Sequence, residues 1–289
     1  MDFLVNFRDK GTLTTGETIA RLRKMPEMRE FIESVYYDED VLHAGRRFHA
    51  SEEFQAVLAR IARQKQPGSL VLDMGGGNGV AALAWHQAGY RVVMVEPDES
   101  DVVGIGCVRP ILQQGGYNIR AYRATGEALP LPANLCDIFY CRQVLHHVTD
   151  LELVCKEAYR VLKPHGLFVA TREHVISSPD DLQIFLQKHP LHKYTGQENA
   201  HPLDRYVHAI RKAGFRHIKV LGPWQSVINY YPTSEADFQF KVARFLSRFV
   251  GPRIGQQLSA HRLVRDYMGK LFSARKKTPG RLYSFWAVR

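Results

Sequence analysis

Residues 69–79 read SLVLDMGGGNG: an apolar run ends in Asp73, and glycines follow at alternate positions, Gly75, Gly77 and Gly79. Such a turn lets backbone approach a ligand closely, because a residue without Cβ takes positive φ easily and leaves the amides uncovered. Residues 80–87 read as a helix start, and a second apolar run, 91–95, ends in Glu96. A carboxylate at the tip of the second strand of a βαβ unit is placed to accept hydrogen bonds from two ribose hydroxyls. Turn and acid together predict a nucleoside-containing cofactor. The turn alone does not say which one. Gly77, Gly79 and Ala82 also satisfy the GxGxxA form of the dinucleotide fingerprint, which would suit a nicotinamide oxidoreductase, and a bare match can also be only a tight structural turn.

Later segments narrow the choice. Residues 124–132 read ATGEALPLP; 136–140, CDIFY, make a short strand, followed by CRQVLHHV at 141–148. A helix over 151–162 ends in RVLKPHG, where Pro164 and Gly166 supply the stop, and a strand over 167–171 comes next. In this order the sequence resembles the class I S-adenosylmethionine-dependent methyltransferases, particularly the small-molecule group with GxGxG, EALPLP, LHHV and RVLKPGG motifs. The resemblance covers residues 68–173. It implies an α/β fold with a Rossmann-like, seven-stranded, mostly parallel sheet and helices on both faces, and S-adenosyl-L-methionine as cofactor. Carried over position by position, it implies that Asp73, Gly75, Gly77 and Gly79 hold the amino acid part of the cofactor and Glu96 the ribose. Thr125, Gly126 and Glu127 fall where the family contacts adenine, and Gln143 and His146 where it faces the methyl group and the acceptor. Thr125 stands where the family often carries Asp, so the adenine contact is expected to pass to the Thr hydroxyl, to Glu127 or to backbone.

Methyl transfer from a sulfonium needs mainly in-line approach and a dry pocket, with acid–base help only where the acceptor must lose a proton. Hydroxyl acceptors need that help most, and histidine suits it because its pKa lies near neutrality. His146, His147 and His174, with Glu173, are the candidates, since they follow the fourth and fifth strands and ligand crevices of open α/β sheets lie beyond the carboxyl ends of the strands. Each has a plainer reading as a cap, a packed ring or a polar residue leaving a strand. Cys136, Cys141 and Cys155 read as small core residues, there being no CxxC pattern. His189 and His192 have a spacing that suits a metal, but no carboxylate or cysteine cluster accompanies them, and no metal is expected.

A chain of 289 residues suffices for one well-buried α/β domain with additions. Unpaired cysteine spacing suggests a reducing compartment. The start, MDFLVNFRDKG, lacks the pattern of a secretory signal, and no stretch approaches the roughly 20 apolar residues of a membrane span, so a cytoplasmic protein is expected, with peripheral membrane contact as a variant.

Residues 1–66 are expected to form a helical cap, helical over 18–62 with Pro26 as an interruption, whose Tyr36, Tyr37, Arg46 and His49 either face the pocket or simply pack. The methyltransferase domain is placed at 67–289, with additions at 175–201 and 229–280. The first contains KHPLHKYTGQENAH, whose Lys188, His189, His192, Lys193 and Tyr194 would suit an acceptor bearing phosphate or carboxylate. A helix over 202–213, a strand over 217–221 and a final strand over 281–288, suited to a buried edge hairpin, complete the sheet. Between these strands, helices are expected over 234–250 and 254–272; Phe238, Val242, Phe245 and Phe249 recur at helical spacing beside a stripe of Lys241, Arg244 and Arg248. From Lys241 onward there are twelve basic residues against one acid, Asp266, so the net charge of +10 resides there. That charge can serve an anionic membrane surface or acceptor, RNA, or only solvation. The expected activity is methyl transfer to oxygen of a small molecule or a glycan or lipid-linked intermediate. An RNA methyltransferase, a nicotinamide oxidoreductase and a non-catalytic cofactor-binding partner protein are the alternatives.

Overall fold

The structure, a computed structural model, describes residues 13–189, 191, 199–230 and 232–289. A single mixed sheet forms its centre, with strands β1 (Leu70–Met74), β2 (Arg91–Val95), β3 (Ile119–Tyr122), β4 (Cys136–Arg142), β5 (Leu162–Ile176), β7 (Arg216–Leu221) and β8 (Arg281–Val288) in the order β3-β2-β1-β4-β5-β8-β7. The first five strands run parallel, while β8 is antiparallel to both β5 and β7. The final hairpin therefore closes one end of the sheet with β8 inside and β7 at the edge. Seven strands were expected; an eighth, the two-residue β6 (His201–Pro202), pairs with the end of β5.

β1 is buried along its whole length, as a central parallel strand covered on both faces must be. Leu70, Leu72 and Met74 face one layer with Phe139 and Cys141 of β4, where α7 (Leu151–Val161) contributes Val154, Cys155 and Ala158, and α9 (Leu203–Lys212) adds Tyr206 and Ile210. Val71, Ile138 and Tyr140 face the opposite layer, filled by α5 (Val80–Gln87), α6 (Ile105–Gln113) and two helices of the leading segment, α3 (Val41–Ala50) and α4 (Glu52–Ile61). The period-two alternation of the strands thus assigns each layer its contacts. Preceding α3, α1 (Thr15–Arg23) and α2 (Arg29–Ser34) form a smaller cluster of Ile19, Leu22 and Ile32 against Val103.

Several boundaries differ from expectation. The leading helix breaks at Tyr36 (φ 62) and at Ser51, which ends α3 and caps α4 through its hydroxyl. α6 and β3 carried no clear sequence signal: α6 has Pro110 inside it, and β3 is a four-residue edge strand with Arg120 exposed. β5 runs beyond 171 to Ile176, its pairing with β8 shifting between Ala170 and Glu173 where Arg172 takes φ 60. α8 (Pro179–Lys188) follows, opened by the Ser178 cap and Pro179, within a stretch that lacks helical apolar periodicity. After α10 (Glu235–Val250), the single helix expected over 254–272 is two, α11 (Pro252–Ala260) and α12 (Arg262–Arg275), meeting at His261.

Candidate active site

At the carboxyl ends of the parallel strands lies a cavity of about 1030 Å³. Its floor is the turn after β1. Gly75, Gly77 and Gly79 take φ of 69°, 54° and 84°. A Cβ at Gly75 would meet Val144 at 2.6 Å and one at Gly79 would meet Val108 at 2.5 Å, so these two permit close packing on the neighbouring loop and on α6. At Gly77 the nearest such contact is the Val103 carbonyl at 3.4 Å; it is the turn that opens toward the cavity.

Glu96 follows β2 on the cavity wall. One carboxylate oxygen accepts the Gly77 amide at 2.7 Å and the other accepts the Asp98 amide at 2.9 Å, and burial raises its pKa. Each oxygen retains a lone pair for a further donor. Asp73 lies under the turn, 1% exposed, with Oδ2 lacking a hydrogen-bond partner, in a recess of about 70 Å³ that shares Gly75, Gly77, Tyr37 and Arg142 with the cavity. Burial and the neighbouring Glu96 charge push its pKa up to about 7. A buried carboxyl with one oxygen unpartnered, beside a second carboxyl and a row of uncovered glycines, suits a nucleoside joined to a cationic group.

Thr125 and Glu127 border the same cavity, with Gly126 between them packed on Met74, whose Sδ lies 2.9 Å from where a Cβ would stand. The Glu127 carboxylate accepts the Thr149 amide at 2.9 Å and the Asp150 amide at 3.3 Å, fixing the approach to α7. Gln143, at φ 57, lines the cavity and accepts a hydrogen bond from Arg142.

The opposite wall is built of imidazoles. Glu173, fully buried, accepts the amides of Val144 and His146 at 3.2 and 3.3 Å and lies 2.7 Å from His146 Nδ1. An ionised carboxylate can only accept, so with Glu173 ionised the proton sits on Nδ1 and Nε2 is the basic nitrogen; the longer approach of the His174 amide to Nδ1, at 3.4 Å, is the competing arrangement. The rings of His147 and His174 lie 4.2 and 4.3 Å from that of His146, and His189 lies 5.5 Å from His174. His146 is buried whereas His147 is exposed. Asn199 returns the chain to this wall, its amide donating to the His146 carbonyl at 2.7 Å. Lys188 is exposed and outside the lining, and His192, Lys193 and Tyr194 lie outside the described residues. Among the described residues no group of three or more potential ligands could hold a metal.

The leading segment forms the roof through Thr14, Ile19, Phe31 and Tyr37. Tyr36 lines the recess and packs on Phe48, while His49 packs on Phe54. Sequence reasoning missed Arg142, which faces both cavity and recess. Glu53 of α4 accepts from its Nε at 2.6 Å and its Nη2 at 3.0 Å, and from Arg172 Nη1 at 2.5 Å. Burial pushes the Glu53 carboxyl up, but the two guanidiniums outweigh it and hold the pKa below its ordinary value. The charge that interrupts the apolar strand before Gln143 was the available signal for Arg142; nothing local marks its partner 89 residues earlier.

Residues 72–170 match the family described as a methyltransferase domain. That match spans 99 of the 289 residues. Among curated relatives, the uncharacterized methyltransferase YcgJ of Bacillus subtilis (strain 168) is 29% identical over 117 residues, 38% of this chain and 42% of the relative. The ubiquinone/menaquinone biosynthesis C-methyltransferase UbiE of Acidiphilium cryptum (strain JF-5) is 32% identical over 155 residues, 52% of this chain and 60% of the relative. The chain spans about half the length of the curated relatives it matches. The chain also shares its fold with phosphoethanolamine N-methyltransferase 2 of Haemonchus contortus, at TM-score 0.54 and 15% identity over 90% of this chain and 60% of that one.

Proposed function

We propose that the protein is an S-adenosylmethionine-dependent methyltransferase acting on a hydroxyl oxygen of a small molecule or a glycan or lipid-linked intermediate. One observation carries the reading: a single cavity has the glycine turn with Glu96 at one wall and the His146–Glu173 pair at another. The turn at Gly75 and Gly77 with Asp73 would hold the amino acid end of the cofactor, Glu96 its ribose, and the 125–127 segment its adenine. Bound there, the cofactor supplies an electrophilic methyl group on a sulfonium. The protein's own part is positioning, exclusion of water beneath the 13–37 roof, and proton removal. His146 Nε2 takes the acceptor's hydroxyl proton; Glu173 fixes the tautomer and stabilises the imidazolium that results. Charge on that imidazolium lies over a carboxylate already anchored by two backbone amides, so no group need reorganise.

Incubation with methyl-labelled S-adenosylmethionine and a lysate, followed by partition of the label, tests the reading. Label in the lipid, glycan or small-molecule fraction is expected. Label in RNA would overturn the acceptor class, and cofactor binding by calorimetry with no label in any fraction would overturn the activity.

A further inference from the structure

The aromatic stripe of α10 does not pack as one surface. Phe238 and Val242 are buried against Tyr230 and Met268, but Phe249 is 74% exposed, and Val250 and Ile254 beside it are 40% and 50% exposed. These three residues stand where α10 turns into α11 through Gly251, at φ 80, and Pro252. The two helices are in close contact: a Cβ on Gly255 would come within 2.5 Å of Ser247 Oγ. No space between them can take the apolar side chains of the tip, which are left facing outward.

Exposed Arg244, Arg248 and Arg253 surround that tip, and they make no ion pair among the described residues. Twelve basic residues against one acid follow Lys241, so the tip sits within the most positive part of the chain. A second copy would present the same positive face and repel it. An anionic bilayer meets both halves of the surface: lipid phosphates pair with the arginines, and the apolar groups enter at the level of the headgroups. We infer that the α10–α11 hairpin tip docks on an anionic membrane surface, with Phe249, Val250 and Ile254 inserted and Arg244, Arg248 and Arg253 on the phosphates. The inserted segment rejoins the sheet at Arg281, opposite Val175, which is the carboxyl end of the parallel strands and so the cavity's end of the molecule. The inference does not depend on which acceptor the cavity takes.

Cosedimentation of the full chain with phosphatidylcholine vesicles, with and without phosphatidylglycerol, tests it. Binding is expected only with the anionic lipid, and release on raising the salt. Arg248→Gln with Arg253→Gln weakens partitioning by about 25-fold, roughly fivefold for each arginine. Phe249→Ser with Ile254→Ser weakens it by about tenfold or more at unchanged charge. Both variants keep the parent's cofactor affinity in calorimetry, because none of the substituted residues lines the cavity or the recess. Failure to bind anionic vesicles, parent-like binding by the variants, retention on RNA in place of vesicles, or a dimer that Phe249→Ser disperses would each overturn the inference. Absence of methyl transfer would leave it untouched.

Discussion

His146 and Glu173 are 27 residues apart, and one short contact joins them into a unit. Replacing His146 with Gln should lower turnover by about 10²–10⁴-fold while leaving the dissociation constant for S-adenosylmethionine unchanged, measured by calorimetry beside single-turnover rates. A parallel loss of cofactor affinity would mean that His146 only shapes the pocket. Asp73 makes a separate prediction from pH. Its folded pKa, about 7, lies above the ordinary 3.8, so folding binds a proton between those values. Below about pH 4 the group is protonated in both states; stability falls as pH rises toward 7 and is then flat, a change on the order of 4 kcal/mol. Asp73→Asn should therefore gain stability relative to the parent as pH rises through that window, read from denaturation midpoints at several pH values. A difference independent of pH would contradict the buried, donor-poor site. Cysteine behaves more simply: burial pushes Cys136 and Cys155 up to about 12, which keeps them thiols.

At the scale of elements, the leading helices are joined to the site electrostatically as well as by packing. α4 brings Glu53 between Arg142 at the end of β4 and Arg172 in β5, and Arg142 also lies over the Phe48 ring of α3 at 5.0 Å. Glu53→Gln would leave two buried guanidiniums without their anion, so a loss of about 3–5 kcal/mol is expected in chemical denaturation, together with weaker cofactor binding as Arg142 shifts at the recess. A loss below 1 kcal/mol would mean that solvent reaches and compensates the pair. The βαβ unit from β1 to β2 was legible residue for residue because its helix and strands are short, apolar and bounded by glycine and acid. α8 was missed because only one of its side chains, Phe185, is buried, leaving a cap signal without a periodic face.

For the whole molecule, the cavity wall is assembled from the roof at 13–37, the β1–β2 turns at 74–98 with Val103, the 124–127 segment and the 142–149 loop, with His174, His189, Leu191 and Asn199 from later in the chain. Cofactor binding should slow amide exchange in 14–37, 74–98 and 142–149 together and leave α10–α12 unchanged; saturation at about 100 times the dissociation constant should add about 2.7 kcal/mol of stability. Protection confined to 74–98 would show that the roof does not close over the ligand. No helix among the described residues is long and apolar enough to cross a membrane.

The sequence by itself determined the glycine turn, the acid after β2 and the α/β alternation, because local φ requirements and apolar periodicity act over a few residues. It also marked the basic insertion, since charge is a property of composition. Tertiary structure alone decided that Glu173 turns inward to His146, that Glu53 reaches across 89 residues to Arg142, and that Phe249 leaves the core its helical spacing suggested. Those outcomes depend on which surfaces meet and which are left without a neighbour. Packing between distant elements sets that, and no local pattern encodes it.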